Sequence, residues 1–273
     1  MQASAIVVTY RTGPVLFDSL AALLSSETVA DIQVVDNGNT PEVQARLRGL
    51  ARDHARLRLL PQANNLGFAA GCNQGAAAAV ADALVFVNPD AVLHEGAIDS
   101  LLAVLAAAPP LGLVGGDLRT PEGAPDRGSR RKRVTLVSAI AAALGQDSAI
   151  NLHRTPLPAA PERVGAVSGA LMLIRKTDFS ALGGFDEGYF LHMEDVDLCR
   201  RVEDAGGAVL FAPGPHGVHH RSSSEVFPAF VTRCKARSFG RYFRKFARSW
   251  PERLIAELVA LALILTLPLR TRS

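Results

Sequence analysis

A regular alternation in the first 118 of its 273 residues most constrains what this chain can fold into. Short apolar runs rich in β-branched residues take turns with longer segments whose apolar residues recur at helical spacing. Ala5–Tyr10, Asp31–Asp36, Arg56–Leu60, Ala83–Val87 and Leu111–Leu118 read as strands. Val15–Leu24, Pro41–His54, Cys72–Ala81 and Gly96–Ala107 read as helices between them. Nearly continuous apolar strands alternating with helices predict an α/β fold, with a Rossmann-like, mostly parallel central sheet and helices on both faces. Ligands of such sheets sit outside the carboxyl ends of the strands, so the polar residues that follow each strand are the ones to weigh for chemistry.

Beyond residue 118 the pattern breaks. Arg119–Arg163 mixes Pro, Gly, a basic run at Arg127–Arg133 and a short apolar helix near Leu136–Leu144. Long irregular segments of this kind tend to be functional. Val164–Arg175 then reads as a strand, His192–Ala205 as a helix, Ala208–Ala212 and Gly217–His220 as short strands, and the tail from Phe227 as helical. At 48% hydrophobic and 20% charged residues, the chain has the composition of a globular protein and not of a disordered one. A net charge of +3 is too small to argue for nucleic acid. The basic run lacks interleaved aromatics, so no nucleic-acid partner is expected. Three scattered cysteines, Cys72, Cys199 and Cys234, exclude a disulfide framework and a paired-cysteine zinc site and fit a reducing compartment. The apolar run near Met1 is short and lacks a basic flank, so no signal peptide is expected.

Four constellations carry the chemistry. Val34-Val35-Asp36-Asn37 places a carboxylate at a strand end, where it can accept from a base or ribose or simply start a turn. In Val87-Asn88-Pro89-Asp90, an acid follows an apolar strand; it suits a hard cation shared with a diphosphate, and also suits a turn. Met193-Glu194-Asp195-Val196-Asp197 sets three acids at a helix start, where they complement the helix dipole. They cannot all face one way, and one facing a cleft would make a general base. In Val218-His219-His220-Arg221 the adjacent histidines point to opposite faces of a strand, so one could ligate a metal while the other is exposed or packed.

In this order and at these distances, the blocks resemble a family 2 glycosyltransferase of GT-A fold, nearest in look to the bacterial rhamnosyltransferase-like branch. The residues that carry the resemblance are IVVTY at 6–10, VVDN at 34–37, NNLGFAAGCN at 64–73 and FVNPDA at 86–91. Further on come VSGALMLIRK at 167–176, GGFDEGYFLHMEDVDLCRR at 183–201 and HHRSSS at 219–224. The resemblance spans roughly residues 4–245, and the blocks at 64–73 and 183–201 are its long and specific parts. It implies a catalytic domain over 1–226, with a nucleotide-binding half to about residue 118 and an acceptor-binding half from 119 to 226. Under it, Asp36 holds the nucleotide base beside Thr9 and Tyr10, and Asn65, Gly67, Phe68 and Asn73 line the nucleotide and donor pocket. Asn88 and Asp90 stand where the family has its metal-binding Asp-x-Asp. The first Asp is here Asn, which leaves most of the charge to Asp90, with His219 completing a Mg²⁺ or Mn²⁺ site. Ser168, Gly169 and Ala170 border donor sugar and acceptor, and Asp195 is the base with Glu194 beside it.

The implied reaction is an inverting transfer from a nucleotide-sugar donor, dTDP-rhamnose being one candidate, to a hydroxyl of a glycan or lipid-linked acceptor in cell-envelope polysaccharide synthesis. A dinucleotide oxidoreductase would need Gly-x-Gly-x-x-Gly after the first strand, where this chain reads RTGPVLFDSL. A nucleotidyltransferase shares the layout but not the acidic block and late histidine. A silent sugar-nucleotide-binding or scaffold protein of the same fold remains an alternative. The tail, 227–273, is basic and aromatic up to Arg253 and then apolar nearly all round over a stretch too short to span a bilayer. It predicts a cytoplasmic enzyme held peripherally at the inner face of the membrane, the alternative being a helix packed on the domain or in a homodimer.

Overall fold

The computed structural model describes residues 1–221 and 228–270. The predicted strands and helices of the first half form as β1 (Ala3–Thr9), α1 (Val15–Ser25), β2 (Val29–Asp36), α2 (Pro41–Asp53) and β3 (Leu57–Pro61). There follow α3 (Phe68–Ala78), β4 (Ala83–Val87), a short β5 (Ala91–Leu93), α4 (Ala97–Ala107) and β6 (Gly112–Arg119). The second half adds β7 (Arg130–Arg131), α5 (Leu136–Ala143), β8 (Glu162–Arg163), β9 (Ala166–Val167), β10 (Leu171–Arg175) and α6 (Lys176–Ala181). It ends with α7 (Glu194–Asp204), β11 (Ala208–His219), α8 (Pro228–Phe246) and α9 (Trp250–Arg270).

The main sheet runs β3-β2-β1-β4-β10-β6-β11-β5, with β8 beside β11. β3, β2, β1, β4, β6 and β11 all run one way, and β10, β5 and β8 oppose them. The sheet therefore crosses from the first half of the chain into the second, as a mostly parallel α/β layer. β7 pairs with β9 as a separate two-stranded ribbon.

Alternation along each strand produces two cores. Ile6 and Val8 join one core with Ala69, Cys72 and Ala76 of α3 and with Val196, Leu198 and Val202 of α7. Ala5 and Val7 join the other with Leu16 and Leu20 of α1, Leu47 of α2 and Leu101 and Leu105 of α4. α3 sits close because it has no side chain where it meets β1: a Cβ on Gly71 would lie 2.8 Å from Val8 Cγ1, and one on Gly75 would lie 2.6 Å from Ile6 Cγ2.

Three expectations are corrected. α3 begins at Phe68, not Cys72, because Gly67 (φ 86°) turns the chain into the helix earlier. The run Val164–Arg175 is two strands, since Ser168–Ala170 turns between β9 and β10. The two late strands are one, β11, which keeps pairing with β6 through irregularities near Pro215. The tail forms two helices that pack as a pair. α8 presents Tyr242 and Phe243 to the core, while Arg241 and Lys245 bind Asp186 at 2.6 and 2.7 Å. α9 packs on α8 through Ala256 and Ala260, the latter against Gly240, and exposes other apolar residues. Among the described residues no helix is long and apolar enough to cross a membrane. Ser222–Ser224 lie outside the described residues.

Gly75→Ala should lower the urea midpoint, corresponding to about 1–3 kcal/mol, because the new methyl would press on Cγ2 of Ile6, a β-branched side chain that is stiff and fully buried. Gly49→Ala on α2, where a Cβ meets nothing within 4 Å, should raise stability by up to about 1 kcal/mol. Acid should also loosen the docking of α8. Burial alone would raise the Asp186 carboxyl, but Arg241, Lys245 and the Gly188 N–H hold it down at about 2. Its contribution is complete above the ordinary carboxylate pKa of about 4 and fades as pH falls towards 2. Proteolytic nicking between Asp186 and α8 measured across that window should rise, and Asp186→Asn should flatten the dependence.

Candidate active site

The carboxyl ends of β1, β2, β4 and β11 and the amino end of antiparallel β10 lie along one rim of the sheet. A cleft of about 640 Å³ opens there, walled on the far side by the 119–163 insert, α7 and α8. Of the residues singled out in the sequence, Phe68, Asn88, Asp90, Ser168, Gly169, Ala170, Glu194, Asp195 and His219 line it together. Thr9, Tyr10, Asp36, Asn65, Gly67 and Asn73 do not line it.

Asp36 ends β2 and starts a turn: its Oδ1 accepts from the backbone of Gly38 and Asn39 at 3.0 and 2.9 Å and from Asn39 Nδ2 at 2.8 Å. Asn39 Nδ2 also reaches Thr9 Oγ1 at 3.2 Å, so the ends of β1 and β2 form one polar unit, with Tyr10 beside Gly38. Asn37 Nδ2 donates to Gly67 O at 3.0 Å and fastens that unit to the start of α3. Asn65 Oδ1 accepts from Gly67 N at 2.9 Å. Asn73 is occupied elsewhere. Its amide brackets Phe185, donating to that carbonyl and accepting from that N–H at 2.9 Å each, and donates to Glu187. It therefore fastens α3 to the 185–187 loop.

At the end of β4, Asn88 N donates to Ala170 O at 3.0 Å, which ties this turn to the start of β10. His219 Nε2 lies 3.2 Å from both Asn88 Nδ2 and Asp90 Oδ1, and its Nδ1 lies 2.7 Å from Asp126 Oδ2. Burial would lower the imidazole pKa, but the hydrogen bonds and charges of Asp126 and Asp90 override it and push it to about 9. Burial likewise opposes ionisation of Asp126, yet His219, Arg221 and Gly128 N hold its carboxyl well below the usual range. Arg221 grips both oxygens of Asp126.

Across the cleft, three donors converge on Asp195: Arg131 and Gly169 N at 3.2 Å to Oδ2, and Val196 N at 2.8 Å to Oδ1. Gly169 sits against Phe68 and Asp195, where an added Cβ would meet them at ordinary contact distances of 3.4 and 3.5 Å. Glu194 is buried, with one carboxyl oxygen unpartnered among the described residues. Burial and the adjacent Asp195 raise its pKa well above that of an ordinary carboxyl. Asp197 turns the other way and is wholly buried, bound by Arg201 Nε at 2.6 Å, Lys245 Nζ at 2.7 Å and Tyr189 OH at 3.0 Å. The acid block thus splits into two residues that face the cleft and one that holds helices together. His192 and Met193, with φ of 66° and 73°, make the left-handed turn that aims the block.

Asp126, Arg131 and Arg221 were missed by sequence reasoning. Asp126 lies in an irregular insert with no motif around it. Arg131 was read only as one charge in a basic run, and Arg221 only as the residue after two histidines.

A nucleotide-sized cleft at the strand ends, with acids and a histidine on opposite walls, defines the class, and the comparisons agree. Residues 2–250 match the family described as "Glycosyltransferase like family 2". The chain belongs to that family and is a glycosyltransferase with the GT-A fold. Among its relatives is the N-acetylglucosaminyl-diphospho-decaprenol L-rhamnosyltransferase of Mycobacterium tuberculosis (strain ATCC 25618 / H37Rv). It is 31% identical over 236 residues, covering 80% of this chain and 76% of that protein. Rhamnosyltransferase WbbL of Escherichia coli (strain K12) is 43% identical over 53 residues, 19% of this chain and 20% of its own. The structure of GalNAc-T7 with UDP, GalNAc and Mn²⁺ superimposes with TM-score 0.64 at 16% identity, over 94% of this chain and 54% of that one, so the chain spans about half of its length. Mannosyltransferase PcManGT from Pyrobaculum calidifontis, in complex with GDP-Man and Mn²⁺, superimposes with TM-score 0.62 at 18% identity, over 96% of this chain and 73% of that one.

The split of the acid block has a direct check. Asp197→Ala should lower unfolding free energy by about 2–4 kcal/mol, somewhat less than for a fully buried pair because Arg201 and Lys245 keep partial exposure. Asp195→Asn should leave the urea midpoint nearly unchanged.

Proposed function

We propose that the protein transfers a sugar, with L-rhamnose from dTDP-rhamnose as the first candidate, from a nucleotide donor to a hydroxyl of a lipid-linked glycan in cell-envelope synthesis, with inversion of configuration. One observation carries this reading: the Asp195 carboxylate, fixed by three donors, faces the same cleft as the Asn88–Asp90–His219 cluster. A single displacement needs this division, with a base on the acceptor side and groups that hold the leaving diphosphate on the other. The relative from Mycobacterium tuberculosis supports the rhamnosyl donor and the lipid-linked acceptor.

In this mechanism Asp36 and the Thr9–Tyr10 end of β1 hold the base and ribose, with Asn65 and Gly67 shaping the loop beside them. Phe68, Ser168 and Gly169 border the sugar, and Asn73 acts indirectly by fixing the loop ahead of the acid block. Asp195 takes the proton from the acceptor hydroxyl as that oxygen attacks the anomeric carbon and the bond to the diphosphate breaks. The sugar carbon passes through an oxocarbenium-like state. Glu194, kept neutral by burial, adds no second negative charge beside the base.

The residues fit a divalent cation, Mg²⁺ or Mn²⁺. Asp90 offers a hard oxygen, Asn88 an amide oxygen, and His219, on giving up its Nε2 proton as the cation enters, a ring nitrogen whose opposite nitrogen is bound by Asp126, the usual outer support of a histidine ligand. Among the described residues no three His, Cys, Asp or Glu side chains form a complete cage, which suits a cation that shares its coordination with a diphosphate. When bound there, a cation would offset the negative charge of the departing diphosphate.

The test is a panel of nucleotide sugars with a lipid-linked acceptor, with nucleotide release and anomeric configuration followed by NMR, with and without Mg²⁺ or Mn²⁺. Asp195→Asn should lower turnover by about 10²–10⁴-fold while donor binding stays within a few fold. Wild-type turnover in that variant would move the base to Glu194. Asp90→Ala should abolish metal-dependent donor binding, and His219→Ala should weaken it more than His220→Ala, whose side chain is exposed. Full activity in excess chelator would remove the metal from the mechanism, and no transfer from any donor would favour a silent binding protein.

A further inference from the structure

The apolar side chains left exposed are not scattered. Of the twelve large ones that the described residues expose, five lie on the first three turns of α9: Trp250 (75%), Leu254 (52%), Ile255 (44%), Leu258 (57%) and Leu261 (53%). Trp250, Leu254, Leu258 and Leu261 follow helical spacing and form one stripe. Ala256 and Ala260 face the opposite way into α8, so the stripe is what remains after α9 has packed. α8 is itself held to the domain by Arg241 and Lys245 on Asp186 and by Ser238 Oγ on Leu191 O at 2.9 Å. The stripe is thus presented from a fixed base. Two more of the twelve, Val137 on α5 and Leu144 at its C-terminal cap, are 78% and 80% exposed. The starts of α5 and α9 border a common hollow of about 340 Å³, and Ala142 of α5 lines the active-site cleft.

Charge is just as uneven. Residues 228–270 carry nine Lys and Arg against two Glu, +7, on a chain whose total is +3. Arg233, Arg237, Arg248 and Arg253 are exposed, and their guanidinium groups form no salt bridge among the described residues. An apolar stripe with an exposed tryptophan, on a strongly cationic helical hairpin, matches the anionic face of a bilayer.

We propose that the outer face of α9, with α5 beside it, is a docking surface for an anionic lipid bilayer, and that it sets the acceptor side of the cleft at the membrane surface. This rests on the reading that the acceptor is lipid-linked. Trp250 is the chain's single tryptophan, so its emission reports on the stripe directly. With the full chain and phosphatidylglycerol vesicles, the emission should shift to the blue, be quenched by brominated lipid chains, and revert in high salt. Phosphatidylcholine vesicles should produce little change. Leu254→Ser with Leu258→Ser should weaken partitioning by about tenfold or more, while transfer to a soluble acceptor analogue persists. No shift on anionic vesicles, or equal partitioning onto neutral ones, overturns the proposal. So does emission already blue-shifted without lipid and tracking a doubled mass, which would mean that a second copy covers the stripe. The vesicle measurement does not use catalysis, so failure of the transferase reading would show separately, as no transfer to the soluble analogue.

Discussion

The structure depends on how closely the chain can cross β6 at Gly115 and Gly116. A Cβ on Gly115 would lie 2.3 Å from Val167 Cβ, and one on Gly116 would lie 2.4 Å from Leu171 Cδ2. Without side chains at these positions, β9 lies directly over the sheet and β10 slots between β4 and β6, paired Leu171 to Val87 and Met172 to Gly115. The turn between them, Ser168–Ala170, is thereby delivered to the strand ends, where Ala170 O accepts from Asn88 N and Gly169 N donates to Asp195. One steric allowance in the sheet thus brings the two walls of the cleft into hydrogen-bonded contact with a single turn.

The irregular insert then completes both walls. Asp126 orients His219 on one wall, and Arg131, five residues later, orients Asp195 on the other. The charges are placed in opposition. A cation is held between two acids at His219, and an acid between a cation and backbone N–H groups at Asp195. Each arrangement fixes a ring or carboxylate that a surface turn alone would leave free to rotate.

The parallel half of the fold was legible because its strands are apolar on both faces and its helices keep one stripe, so period and burial agree residue by residue. Asp90, Asp195 and His219 were legible for a related reason: each follows directly on an element boundary inside a dense polar motif. Periodicity failed where tertiary contact decides. Ser168–Ala170 interrupts a run whose composition is continuous with a strand. The start of α3 is set by the approach of Gly67 to Phe190 O, 2.5 Å from where a Cβ would sit. Asp126 and Arg131 gain their roles only from partners 93 and 64 residues away. In the tail, alanine and leucine count alike as apolar in the sequence, yet Ala256 and Ala260 pack inward while Leu254, Leu258 and Leu261 stay outside.

Arg130 and Arg131 are neighbours on a two-residue strand and therefore point to opposite sides. Arg131 reaches the cleft. Arg130 is buried and ties the insert together, donating to Glu162, to the carbonyls of Leu152, Thr155 and Pro156, and to the Thr155 hydroxyl, while its guanidinium stacks over Phe211. The loop is thus knotted on one side of the ribbon and Asp195 is held from the other. Such a ribbon works as a mounting plate: under the proposed transferase reading, a change of outline between Lys132 and Asn151 would alter the fit to an acceptor while Arg130 keeps the ribbon, and with it Asp195, in alignment.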